Sequence, residues 1–167
     1  MSKTLNLPRA DRSITSYTPR AAPNFHAPNA PFKSRVAYAA AHVVADPLAD
    51  VTPVSPPAVD WETTMDFRRY LWSLGFAVAE AMDTAQRGMG LDWQTAKELI
   101  RRSVAAARAA GGTVACGAGT DQLQPSPALS LGDVEEAYAE QVGFIEGEGG
   151  KIILMASRAL AAIASGP

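Results

Sequence analysis

Groups able to move protons or hold an anion recur where the apolar runs of this chain give way to polar residues. His42 and Asp46 follow the first such run, and Glu80, Asp83, Thr84, Gln86 and Arg87 stand at the end of the second. Cys116, Thr120, Asp121 and Gln122 end the third, and Ser157 and Arg158 end the fourth. Proton transfer needs an imidazole or carboxylate of suitable pKa, so His42, Glu80 and Asp83, with the Thr84 hydroxyl beside them, are the candidate catalytic residues. Gln86, Arg87, Thr120, Asp121, Ser157 and Arg158 offer the charge and hydrogen bonds that bind a small anionic substrate. His42, Glu80, Asp83 and Asp121 could instead serve a hard cation in metal-assisted chemistry.

Each group also has a plain structural reading. A histidine on an apolar strand is commonly a satisfied core residue, and Glu80 and Asp83 could simply pair with Arg87 or Arg158. Cys116 reads as a small buried hydrophobe, since no base stands near it in the sequence to generate a thiolate. Thr120 and Asp121 could only turn the chain. Gly88 and Gly90 free the backbone before a helix N-terminus, where amides could hold a phosphate or carboxylate.

Strands that end at one rim would bring these positions together. From Ser34 onward a short apolar run repeatedly precedes a segment of helical period. The pattern predicts strands over Arg35–Val44, Phe76–Ala81, Thr113–Cys116 and Lys151–Met155. A helix capped by Asp60 and stopped at Gly75 carries the apolar stripe Phe67, Leu71 and Leu74. A second, capped by Asp92 and ending before Gly111, buries Ala96, Leu99, Ile100, Ser103, Val104 and Ala107. A third opens near Ser130, places Val134, Ala137, Tyr138, Gln141, Val142 and Ile145 on one face, and closes at Gly149 and Gly150. Upstream, Thr4–Leu7 and Ser13–Thr18 read as a β-hairpin leading to a proline-rich connector, with Pro23, Pro28 and Pro31. A proline-rich loop, Pro47–Pro57, separates the first strand from the first helix. The chain thus divides into residues 1–33 and an α/β unit over 34–167.

Continuous apolar strands joined by crossover helices imply parallel pairing. Strand starts lie roughly 40 residues apart, the scale of one unit of an eight-unit barrel, although an open doubly wound sheet has similar spacing. No Gly-x-Gly-x-x-Gly turn follows the first strand, which argues against a dinucleotide site. In either architecture the site lies beyond the C-terminal strand ends.

The 167 residues, 47% hydrophobic and 19% charged, suffice for one globular core. A net charge of −2, with 15 basic and 17 acidic residues intermixed, gives no footprint for nucleic acid or an anionic membrane. One cysteine excludes an internal disulfide or a multi-cysteine zinc site, no apolar run is long enough to span a bilayer, and a cytoplasmic setting is expected. Residues 1–33 lack the apolar core of a secretory signal, while their arginines leave a transit peptide open.

The stretch from Gly75 to Trp93 (GFAVAEAMDTAQRGMGLDW) resembles the dihydrodipicolinate synthase-like superfamily, and within it an uncharacterised branch. Arg35–Pro47 (RVAYAAAHVVADP), Thr113–Leu123 (TVACGAGTDQL) and Gly150–Leu160 (GKIILMASRAL) extend the resemblance over residues 34–167. It implies a (β/α)8 TIM barrel, an oligomer, no cofactor, and a lysine on the sixth strand that forms a Schiff base with a small 2-oxo acid. Relatives carry Gly-Thr-Thr-Gly-Glu after the second strand, where this chain reads Met82-Asp83-Thr84-Ala85-Gln86. Their fourth strand ends in a tyrosine, replaced here by Ala156-Ser157-Arg158.

A Schiff base needs an amine in the pocket. Lys3 and Lys33 precede the α/β unit, Lys97 falls on a helix, and Lys151 begins its strand. The expectation is therefore the first half of a TIM barrel with an N-terminal hairpin extension, from a lyase or aldolase and inactive alone. A homo-oligomer or a complementary second half would close it. The alternatives are the metal-assisted aldolase-type barrel and a non-catalytic, truncated or scaffold chain.

Overall fold

The computed structural model describes residues 4–24, 33–52, 55 and 58–164. Two short strands, β1 (Leu5–Pro8) and β2 (Ile14–Tyr17), pair antiparallel with Leu5 opposite Tyr17. Arg12, at a φ of 67°, turns the chain between them. Their apolar side chains Leu5, Leu7, Ile14 and Tyr17 stay largely exposed. Most of the expected proline-rich connector, and four positions of the Pro47–Pro57 loop, lie outside the described residues.

The main sheet is parallel and holds β3 (Tyr38–Ala40), β4 (Ala77–Glu80), β5 (Val114–Ala118) and β6 (Lys151–Leu154), in that spatial order. Helix α1 (Trp61–Ser73) links β3 to β4, α2 (Trp93–Ala110) links β4 to β5, and α3 (Leu131–Gly147) links β5 to β6. A 3-10 turn, Asp83–Ala85, follows β4, and a short helix, α4 (Arg158–Ile163), follows β6.

Capping explains where the helices begin. Asp60 accepts from the Thr63 amide, and Asp92 from the Thr95 amide. Ser130 and Asp133 form a reciprocal capping box at α3. Gly111 closes α2 in the left-handed region, at a φ of 64°, which costs glycine least.

Register divides the strand residues between two faces. Val78 lies opposite Val114 and Glu80 opposite Cys116. Glu80 bonds Arg68 of α1 and Ser103 of α2, so Val78, Glu80, Val114 and Cys116 face the helices. Ala77, Ala79, Ala115 and Gly117 face the other way. All six expected α2 positions are buried, with Trp93; full burial of Leu99 and Ile100 stabilises by about 1.5–3 kcal/mol each.

The structure corrects two strand boundaries and one helix face. The first strand is three residues long rather than Arg35–Val44, because Val44 leaves the sheet: its amide donates to Thr64 Oγ1 and its carbonyl accepts from Asp60. The third strand runs on to Ala118, since Gly117 and Ala118 pair with Ile153 and Leu154. On α1, Leu71 is buried as expected, but its buried companions are Thr64, Met65 and Arg68, while Phe67 and Leu74 are only partly buried. Glu80 causes this difference: its carboxylate takes the Arg68 fork through Nε at 2.7 Å and Nη2 at 2.8 Å, and both side chains are fully buried.

Candidate functional site

The segments that follow β4, β5 and β6 enclose a cavity of about 340 Å³ at the C-terminal rim of the sheet. Its polar lining comes from Asp83, Arg87, Thr120, Asp121 and Arg158, and Met89, Leu123, Pro125 and Met155 form apolar walls. The chain reaches this rim through a twisted backbone: Ala81 (φ 52°), Gln86 (φ 62°) and Gly88 (φ 65°) all lie in the left-handed region. For Ala81 and Gln86 that conformation is uncommon and persists where neighbours impose it. Ala81 is so held, its amide donating to Glu80 Oε1 and its carbonyl accepting from Arg87 Nη1.

Arg87 organises the base of the site. Its Nε donates to Asp121 Oδ2 at 3.1 Å, its Nη2 to Asp121 Oδ1 and to Gln141 Oε1, and its Nη1 to the carbonyls of Ala81 and Gly117. The guanidinium also stacks over the Trp93 ring. A guanidinium has five N–H donors, and all five are engaged, so Arg87 braces the rim and has none left for a substrate anion. Gln141, fully buried, is equally committed: its oxygen also accepts from the Gly119 amide, and its nitrogen donates to Asp121 and Gln122. Burial raises the Asp121 pKa, but hydrogen bonds from Arg87 and Gln141, with the Arg87 charge, outweigh it and hold the carboxyl below its usual value.

Arg158 stands in the opposite condition. It is exposed at the cavity, and among the described residues its one side-chain hydrogen bond runs from Nη2 to the Gly88 carbonyl at 3.1 Å. A Cβ on Gly88 would lie 2.2 Å from that same nitrogen, so glycine there makes room for the guanidinium. The Thr120 and Ser157 hydroxyls share a 2.6 Å hydrogen bond, and Ser157 also caps α4 through the Leu160 amide.

The remaining expected site residues are dispersed. Glu80 is not at the rim but sealed in the helix-facing core, where Arg68, Ser103 and the Ala81 amide occupy it. His42 is exposed beyond β3, with its ring 5.0 Å from that of Phe67, and it does not line the cavity. Thr84 and Gln86 are exposed on the turn after β4 and also lie outside the lining. Among the described residues no three of His, Cys, Asp and Glu lie close enough to hold a metal ion, so His42, Glu80, Asp83 and Asp121 do not form a ligand set. Cys116 is buried; burial and the Glu80 charge push its thiol up to about 12, against the pull of Arg87, so it is a core residue.

Gln141 reads from the sequence as part of an otherwise apolar helix face, and Trp93 as part of no site. The available signal was a polar side chain at a buried helical spacing, which must find partners. No helix among the described residues is long and apolar enough to cross a membrane.

A family model described as "Protein of unknown function (DUF993)" matches residues 5–167. No curated protein matches the chain.

Proposed function

We propose, for a chain that belongs to the DUF993 family, that it forms the first half of a dihydrodipicolinate synthase-like (β/α)8 barrel which binds a small 2-oxo acid. The paired N-terminal strands are then a hairpin extension, and the reaction class is carbon–carbon lyase or aldolase. Strand order supports the architecture. Four parallel strands follow one another in sequence without reversal, and right-handed crossovers of that kind put every helix on one face. The helices do form one layer: α1 packs on α2, and Trp93 and Arg101 of α2 meet Phe144 and Glu148 beside α3. A doubly wound sheet would reverse its order and carry helices on both faces.

The observation that carries the ligand class is Arg158, a guanidinium with unengaged donors at a cavity on the catalytic rim of such a fold. It is suited to bidentate capture of a carboxylate. Asp83, Thr120 and Asp121 line the same cavity and would meet the rest of the molecule. Lys97 lies over the Trp93 ring and Lys151 at the opposite end of β6, so neither lines the cavity. Among the described residues no lysine lines the cavity, and on this reading the Schiff-base amine comes from a complementary half or a second copy, so that this chain alone binds without turnover. The lone buried Cys116 suits a reducing cytoplasm.

Isothermal titration of the chain with pyruvate and 2-oxobutanoate tests the reading. Binding is expected to weaken tenfold or more in Arg158→Met, about 1.4 kcal/mol, and to return in part in Arg158→Lys. Absence of binding by the wild-type chain overturns it.

A further inference from the structure

We infer that Asp121 selects among such ligands: the cavity favours a small 2-oxo acid that also carries a hydrogen-bond donor, a hydroxyl or an ammonium, a few atoms from the carboxylate, over one such as pyruvate that carries none. This rests on the reading of Arg158 as the anion anchor and adds the second half of the recognition.

Three observations carry it. Arg87 and Gln141 have no bonding capacity left, so neither can turn toward a ligand, and both are buried. They hold Asp121 from behind. Its carboxylate receives Arg87 Nε at Oδ2, and Arg87 Nη2 and Gln141 Nε2 at Oδ1. A carboxylate offers about four acceptor positions; among the described residues side chains fill three, the residue's own amide adds only the smallest of the interactions that lower its pKa, and the fourth position is open on a residue that lines the cavity. An ionised carboxylate accepts only, and a ligand showing it nothing but oxygens would leave that position desolvated and unpaired.

Spacing sets the size of the ligand. A Cβ on Gly88 would lie 2.2 Å from Arg158 Nη2 and 3.5 Å from Asp121 Cβ, so the cation and the carboxylate flank the same glycine. A three-carbon molecule can reach from one to the other. Proton abstraction is the weaker role for Asp121, because a carboxylate held ionised by a guanidinium and an amide is a poor base near neutral pH. Asp83, exposed on the 3-10 turn, lines the same cavity and is the competing acceptor.

Titration calorimetry of the full chain with propionate, 3-hydroxypropionate and 3-aminopropionate separates the contributions. At least one donor-bearing acid is expected to bind tenfold or more tighter than propionate, and which one it is distinguishes hydroxyl from ammonium. The preference should survive Asp83→Ala and shrink below threefold in Asp121→Asn, with near-ultraviolet circular dichroism checking that the variant is folded. Asp121→Asn leaves Arg87 without its counter-charge, so if that variant fails to fold, the wild-type series and Asp83→Ala decide. Equal affinity for all three acids, with binding still lost in Arg158→Met, overturns the selection by Asp121 and leaves the anion anchor standing. Loss of the preference in Asp83→Ala assigns it to Asp83 and overturns the inference as well. Failure of every carboxylate, pyruvate included, removes both.

Discussion

Arg87 and Arg158 stand at the same rim and differ in what surrounds them. Arg87 is 3% exposed and spends every donor inside the protein, on Asp121, Gln141 and two carbonyls. Arg158 spends one. The first is therefore a stability residue, and the second is the one proposed as the ligand anchor. Removing one member of a buried pair strands the other charge at about 3–5 kcal/mol, so Arg87→Met should lower the unfolding free energy read from urea melts by that much, and Arg158→Met should change it by about 0.5 kcal/mol or less. The same pair sets an acid limit. The Asp121 pKa is lowered in the folded chain, so below neutral pH the unfolded state takes up the proton first. The stability it contributes is present above the ordinary carboxylate value and is lost as pH falls through the lowered folded one. Urea melts between pH 7 and pH 3 should show this loss in the wild type and a shallower one in Arg87→Met. Parallel pH profiles would show that Arg87 does not set the Asp121 charge.

At the scale of the element, helix starts were legible because caps are local. Asp60, Asp92 and Ser130 each accept a hydrogen bond from an amide three residues ahead, as their positions before apolar-periodic segments foretold. Ser130 does most, because its box with Asp133 satisfies donors in both directions. Ser130→Ala should cost about 1 kcal/mol in chemical denaturation with the denaturant slope unchanged; no loss would mean that the first turn of α3 is held by packing instead. Helix faces were less legible. On α2 the apolar period identified the buried side, whereas on α1 a charged residue, Arg68, belongs inside because Glu80 waits there across the sheet. No periodicity of α1 alone contains that information.

For the molecule as a whole, the described sheet ends in two strands with no further partner, β3 and β6. The burial of β4 and β5 is complete, but Leu154 of β6 is 67% exposed and Tyr38 of β3 is 42% exposed. Unpaired parallel edges bearing large apolar side chains are templates for association. The chain should sediment as a dimer or larger species at micromolar concentration, and Leu154→Lys should shift the distribution toward monomer. A wild-type chain that sediments as a monodisperse monomer at all concentrations would show that these edges are not association surfaces.

The sequence by itself determined the order of alternating strands and helices, the caps and glycine stops that bound the helices, and the polar character of the C-terminal strand ends. All of these depend on neighbours a few residues apart, or on a period that any one segment displays. Tertiary structure alone decided which polar residues meet. Glu80 and Asp121 are both acids at strand ends, yet one faces the helices and closes a core pair with Arg68 while the other opens on the cavity. That difference follows from the parity of the strand and from partners 12 and 34 residues away. Arg87 likewise reads as a free cation until Gln141, 54 residues on, comes to share it. Long-range partners decide whether a charge is consumed or available, and availability is what separates a site from a core.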